Sequence, residues 1–294
     1  MHGSFAINGN TPLYSSGFMP RKGMVITMSN LSAWERIELI RHKNRPTVND
    51  YIPMIFKDYI EMHGDRQFGD DGAITGGISL FQGRPVTVIG MVKGRNFEEN
   101  KKANFAMPGP EGYRKALRLM HQAEKFSRPV ICLVDTPGAY AGIGAEERGQ
   151  GEAIARNLFE LMRLKTPVIS IILGEGGSGG ALALAVCDEL AMLENAVYSV
   201  ISPRGFANIL WKDGSREKEA AGLLKMTAED VCGFGVADYI IPEPHGGAHI
   251  SPEETAAAIS AYIASAMGRV TAQDMEKLLE NRYQRYRKIG VFEE

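Results

Sequence analysis

Two short apolar runs constrain this chain more than any other feature. Pro129–Val134 (PVICLV) and Pro167–Leu173 (PVISIIL) start 38 residues apart, and each leads into a turn and then a helical pattern. Nearly uninterrupted apolar strands of this length are covered on both faces. The strand–turn–helix repeat makes them parallel neighbours in an α/β sheet. Ligands of such sheets gather at the carboxyl ends of the strands. The two turns that follow these strands are therefore the first place to look for chemistry.

The rest of the chain is organised around this centre. Ser32 and Glu35 fit a capping box that opens a first helix. Thr47–His63 reads as a second helix, with Tyr51, Met54, Ile55, Tyr59 and Met62 on one face. Ile74–Phe81 and Pro85–Val92 flank Gln82-Gly83 and read as a β-hairpin. Lys93–Ala106 reads as a polar loop. Pro110–Phe126 is a helix with Tyr113, Ala116, Leu117, Met120 and Ala123 as its apolar stripe. One helix from about Ala145 to Leu164 is expected between the two apolar strands. A short helix to Val186, short strands at Leu190–Leu193, Val197–Ile201 and Tyr239–Ile241, and helices at Ser202–Trp211, Ser215–Lys225 and Thr227–Cys232 follow. Ser251–Met267 and Ala272–Lys288 are amphipathic helices for the outside or an interface. Residues 1–27, rich in Gly, Ser, Asn and Pro without periodicity, read as a disordered extension or expression remnant, with Met28 as a natural start. Residues 28–63 read as a helical arm and residues 64–294 as one catalytic domain.

Composition removes several function classes. The 33 basic and 35 acidic residues leave a net charge of −2, so nothing points to a nucleic-acid surface. No apolar run reaches the ~20 residues of a membrane span. Cys132, Cys187 and Cys232 form no C-x-x-C pair. An odd, sparse set of this kind fits buried thiols in a reducing cytoplasm and no structural zinc site.

The turn after the second strand is Gly174-Glu175-Gly176-Gly177-Ser178-Gly179-Gly180-Ala181. Five glycines in seven residues let a ligand approach the backbone. At a helix start the first N–H groups lack intrahelical acceptors and can hold negative charge. Two generic motifs overlap it. Gly174-x-Gly176-x-x-Gly179, with Glu194 beyond, satisfies a dinucleotide fingerprint, but the following helix is too short. Gly176-x-Ser178-x-Gly180 satisfies a nucleophile elbow, which would draw its base from His245 or His249. Helix capping is the simpler role for Ser178. The turn after the first strand runs Asp135-Thr136-Pro137-Gly138-Ala139-Tyr140 and continues to Glu146 and Glu147. Those glutamates suit either the dipole of a helix start or acid–base chemistry on an acyl-CoA. Lys93, Arg95 and Arg114 are cations that could meet coenzyme A or a partner. No metal-ligand cluster is visible.

At these turns the sequence closely resembles the alpha subunits of bacterial multi-subunit acetyl-CoA carboxylase carboxyltransferases. The resemblance is carried by Gly64-Asp65-Arg66, Asn104-Phe105 with Met107, Pro110 to Met120, Asp135 to Tyr140, Gly144 to Gln150, Gly174 to Ala181, Tyr198 to Pro203, and Glu243-Pro244 with Gly246 to His249. It implies a crotonase-like α/β fold of repeated ββα units with helical extensions at both ends. It implies an α₂β₂ enzyme, working beside biotin carboxylase, that moves a carboxyl group from biotin on a separate carrier protein to acetyl-CoA, giving malonyl-CoA for fatty-acid synthesis. The beta subunit would bring a zinc ribbon, so the lack of paired cysteines here fits alpha. By the same resemblance the Gly179 and Gly180 N–H groups hold the biotin carbonyl oxygen. Gly138, Ala139, Tyr140, Gly176, Gly177 and Ser178 would line the biotin or substrate site. Such a site stabilises charge by its backbone, which explains why no Ser–His or carboxylate pair stands out. A free-standing acyl-CoA hydratase or isomerase using Glu146 or Glu147, and a non-catalytic assembly subunit, are the competing readings. Three departures stand against the family pattern. Arg204 replaces a frequent Glu, Ala141 a frequent Pro, and a long N-terminal helical region is largely missing.

Overall fold

A computed structural model describes residues 31–290 of the 294. The expectations for residues 1–27 and for a start at Met28 lie outside the described residues. The chain opens with α1 (Ala33–Ile40), whose Ser32 and Glu35 form the expected capping box. α2 (Val48–Ile55) follows, with a second box from Thr47 and Asp50. Its helix stops earlier than the periodicity suggests. Lys57–Glu61 is a strand, β1, paired antiparallel with β2 (Ile74–Phe81). Tyr59 and Met62 matched the helical spacing of Tyr51 and Ile55, but the open edge of the hairpin offered backbone partners instead. Gly77 makes the close pairing feasible, since a Cβ there would lie 2.1 Å from the Ile60 carbonyl oxygen. The sheet thus begins inside the segment read as an arm.

β2 turns through Gln82 (φ 48°) and Gly83 (φ 79°) into β3 (Arg84–Met91), completing the expected hairpin. Two left-handed central residues give the twist that a two-residue hairpin loop needs. The segment read as a polar loop contains a short helix, α3 (Phe97–Lys102), capped by Asn96. Six residues with two capping bonds carry too little periodicity to be read from sequence. α4 (Pro110–Lys125) leads to β4 (Val130–Thr136). The helix expected from Ala145 to Leu164 is two helices, α5 (Ile143–Glu147) and α6 (Gln150–Arg163). They are separated by Gly149, whose φ of 81° breaks the helical path.

β5 (Val168–Gly177) runs directly into α7 (Ser178–Ala185). β6 (Glu189–Leu193), β7 (Val197–Ser199), α8 (Pro203–Trp211), α9 (Glu217–Leu223), α10 (Ala228–Gly233) and β8 (Tyr239–Ile241) agree with the sequence reading to within a few residues. α11 (Pro252–Thr271) and α12 (Met275–Arg287) close the described chain. The sheet order is β1-β2-β3-β4-β5-β6-β8, with β7 paired to the far end of β5. β1, β2 and β3 are antiparallel, and the other pairings are parallel. The sheet is therefore mixed, and β2–β3–α4 is one ββα unit.

β4 is buried along its whole length, as is β5 up to Gly174. Each Val, Ile or Leu buried this way contributes about 1.5–3 kcal/mol. α7 packs on both strands, while α4 packs on β2, β3 and α6 and buries Tyr113, Ala116, Leu119, Met120 and Ala123, close to the expected stripe. Arg282 fastens α12 from a fully buried position. It pairs with Asp188 and donates to the carbonyls of Leu161, Leu164 and Thr166. This rigid centre sets the direction in which the ends of β4 and β5 point.

Candidate active site

The two turns singled out in the sequence meet at the carboxyl ends of β4 and β5. Thr136 sits in register with Gly176. A Cβ on Gly177 would lie 2.1 Å from the Pro137 carbonyl oxygen, and one on Gly180 would lie 2.4 Å from the Ala139 nitrogen. Both distances are shorter than side-chain contact allows, so the glycines let backbone touch backbone. Gly138 differs, because nothing lies within 4 Å of a Cβ there and its φ is +150°. Its requirement is conformational.

The stretch read as one turn from Gly174 to Gly180 is divided differently. Glu175, Gly176 and Gly177 still belong to β5 and pair with Val197, Tyr198 and Ser199 of β7. Ser178 is not the cap. It is the first residue of α7, is exposed, and has a φ of 50°, with Gly177 in the cap position. The chain turns the corner on Ser178 because Gly177 is held between Pro137 and β7. The N–H groups of Ser178, Gly179 and Gly180 fall in the first turn of α7, where helical geometry provides no acceptor. Gly179 is half-buried beside Ile154, and Gly180 is buried.

Charges hold this end of β5 in place. Arg41 donates to both oxygens of Glu175, at 2.9 Å each. Lys93 Nζ lies 3.6 Å from Glu175 and 3.8 Å from Asp135. Asp135 in turn accepts the Glu175 N–H at 2.9 Å. Burial works against the Glu175 charge, but the Arg41 hydrogen bond and the charges of Lys93 and Arg41 outweigh it and hold its carboxyl below the ordinary value. Arg45 donates to the Leu173 carbonyl at 2.7 Å and pairs with both oxygens of buried Glu243 at 2.8 Å. Burial likewise disfavours the Glu243 charge, and Arg45 reverses that effect, so its carboxyl is also depressed. Sequence reasoning did not find Arg41, Arg45 or Glu175, because an ion pair between residues more than a hundred positions apart has no local signature.

Neutral bonds hold the other turn. Tyr140 donates its N–H to the Pro108 carbonyl at 3.0 Å. Buried Gln150 donates to the carbonyls of Pro108 and Tyr140, both at 2.9 Å. Thr136 donates its hydroxyl to the Gly138 carbonyl at 2.8 Å. A cleft runs beside the glycine turn, between Ile37 of α1 and Arg41 just after it, Ser178, and Ser199, Ser202 and Met226 on the other wall.

The remaining candidates fall in three places. Lys93 belongs to the charge cluster just described. Arg95 pairs with Asp50 on the surface, and Arg114 is tied to Asp65 and Glu111 and to the Arg148 carbonyl. Glu146 and Glu147 are exposed on α5. Glu194 is buried and accepts the Glu243 N–H, a structural task. His249 stacks on His42 at 4.0 Å, and among the described residues no hydrogen bond joins Ser178 to it or to His245. Arg204 stands exposed in the first turn of α8, where a cation opposes the helix dipole. All three cysteines are free; burial pushes the Cys187 thiol up to about 11 and Cys232 up to about 12. Among the described residues there is no cluster that could hold a metal ion, and no helix is long and apolar enough to cross a membrane.

Known proteins share both the sequence and the fold. The acetyl-coenzyme A carboxylase carboxyl transferase subunit alpha of Clostridium botulinum (strain Alaska E43 / Type E3) is 60% identical over 262 residues, covering 89% of this chain and 96% of that protein. The subunit of the same name from Clostridium acetobutylicum is 57% identical over 262 residues, with the same coverage. Among solved structures, a transcarboxylase 12S core superposes with a TM-score of 0.66 at 20% identity. It covers 82% of this chain, which spans 45% of that one. The Pseudomonas malonate decarboxylase MdcD–MdcE heterodimer gives a TM-score of 0.56 at 18% identity, covering 67% of this chain and 81% of that one. These likenesses establish the crotonase-like fold of carboxyltransferases. A family model described as acetyl co-enzyme A carboxylase carboxyltransferase-like matches residues 21–290, and with relatives this close the chain belongs to that family.

Proposed function

We propose that this chain is the biotin-side half of an acetyl-CoA carboxylase carboxyltransferase, completed by a beta subunit in an α₂β₂ assembly. One observation supports the reading: the turns at the ends of β4 and β5 meet through Gly177 and Gly180, and α7 starts there, with its exposed first residue Ser178 on the cleft. A side chain on either glycine would collide with the facing turn, so this corner of the fold is built of backbone. When bound, carboxybiotin supplies the carboxyl group that passes to acetyl-CoA. The N–H groups of Gly179 and Gly180 hold the ureido oxygen and stabilise the negative charge that develops there. A preorganised donor of this kind contributes about 3 kcal/mol to a transition state. Gly138, Ala139, Tyr140, Gly176, Gly177 and Ser178 shape the wall around it.

Of the three cations considered for coenzyme A or a partner, we retain Arg95, whose side chain is about half exposed, and assign Lys93 and Arg114 to holding the turns. The carrier protein would bring biotin to the open side of the cleft. In a reducing cytoplasm the buried thiols would stay free.

Co-expression with a beta subunit tests this. The complex should convert malonyl-CoA and biotin to acetyl-CoA and carboxybiotin, the readily read reverse direction, and this chain alone should not. Gly179→Pro removes one donor and strains the turn, since Ser178 before it has a φ of 50°, which a following proline disfavours. It should lower turnover by about two orders of magnitude while the complex still assembles. Full turnover by the lone chain, or by the Gly179→Pro complex, would overturn the reading.

A further inference from the structure

Among the described residues, Tyr113 is a buried polar group against the glycine turn that has no task so far. Its side chain is fully buried under α4, and its hydroxyl has no hydrogen-bond partner among the described residues. Buried hydroxyls are nearly always paired, because an unpaired one has given up water for nothing. The position of this one is informative. A Cβ on Gly180 would lie 2.9 Å from Tyr113 Oη, 2.4 Å from the Ala139 nitrogen and 2.7 Å from the Gly138 carbonyl carbon. The hydroxyl therefore stands at the closest approach of the two turns, against the backbone that carries the proposed donors. Asp71, the charged group that acts on it, already accepts the N–H groups of Ala73 and Gly109. Burial, with the nearby Asp71 charge adding to it, raises the phenol well above its ordinary value, so it stays protonated and able to donate.

We propose that Tyr113 is a positioning residue for carboxyl transfer: its hydroxyl is held in reserve behind Gly180 and Ala139 and bonds to this backbone when the touching turns adjust to the bound group. The inference rests on the reading that Gly179 and Gly180 are the donors. The resting fold carries an unsatisfied group, and the loaded site uses it. Sites that trade stability for activity in this way are common.

Tyr113→Phe removes the hydroxyl and keeps the ring. In the complex with the beta subunit, two quantities are measured: the kinetics of acetyl-CoA formation from malonyl-CoA and biotin, and the unfolding temperature. The expected result is a fall in kcat of about tenfold, the scale of one hydrogen bond. The KM for malonyl-CoA should not change, and the unfolding temperature should be equal or higher. An unchanged kcat overturns the proposal. So does a lowered unfolding temperature, or failure to fold, since either shows the hydroxyl already bonded in the resting state. Gly179→Pro in the same assay separates the two readings. If it silences the enzyme while Tyr113→Phe is normal, only the role of Tyr113 falls. If it leaves turnover intact, the donor assignment falls and the role of Tyr113 falls with it.

Discussion

The turns at the ends of β4 and β5 touch each other, yet different forces hold them. The glycine turn is pinned by charge, with Arg45 on the Leu173 carbonyl, Arg41 on Glu175, and Lys93 between Glu175 and Asp135. The Asp135–Tyr140 turn is held by neutral bonds from Gln150, Thr136 and its own backbone to Pro108 and Gly138. Their glycines differ in the same way. Gly177 and Gly180 are required by space, Gly138 by conformation. A turn that must present bare N–H groups cannot hold itself with side chains, so the clamps come from elsewhere in the chain, here from the segment between α1 and α2 and from Lys93 after β3. This gives the N-terminal segment a task in the site that it does not line with catalytic groups.

The largest effect should come from the charged clamp. Arg45→Ala leaves buried Glu243 unpaired and should cost about 3–5 kcal/mol, read by urea unfolding at neutral pH. The Glu243 carboxyl is depressed in the fold, so its contribution is full above the ordinary carboxylate value of 4.5. It is lost as pH falls through the depressed folded value. The gap between native and variant should therefore narrow on acidification below that range. A gap that stays constant with pH would mean the charge is not what holds the turn.

The second test separates space from mere glycine content. Gly180→Ala drives a methyl into the Ala139 backbone and should cost about 1–3 kcal/mol. Turnover should fall about a hundredfold as the donors move. Gly179→Ala meets only Ile154 Cγ2, at 3.8 Å, and should keep turnover within a few-fold. Equal losses from the two variants would break the comparison. The smallest of these effects belongs to the neutral side. Gln150→Ala removes two hydrogen bonds from buried carbonyls and should cost about 1–3 kcal/mol in the same unfolding assay. A loss larger than that of Arg45→Ala would reverse the ranking of the two turns.

Much of this was legible in the chain. The apolar runs at Pro129 and Pro167 placed β4 and β5, and Gln82-Gly83 placed the hairpin turn, because burial and turn conformation leave local signatures. The Gly174–Ala181 stretch announced a backbone site for the same reason. The misreadings were places where a distant partner outweighed local pattern. Lys57–Glu61 became a strand because β2 presented an open edge, and Ser178 lost its capping role because Gly177 was caught against Pro137. Lys93 and Arg114 read as free cations, but their acidic partners come from other segments.

By itself, then, the sequence determined the family, the parallel centre of the sheet and the glycines that leave a backbone bare. Those depend on residue type and spacing along the chain. Only the tertiary structure decided which backbone touches which, that the segment between α1 and α2 clamps the glycine turn, and that the Tyr113 hydroxyl waits unpaired behind it. Contacts of that kind form between residues far apart in the chain, and their strength depends on burial, which no stretch of sequence carries alone.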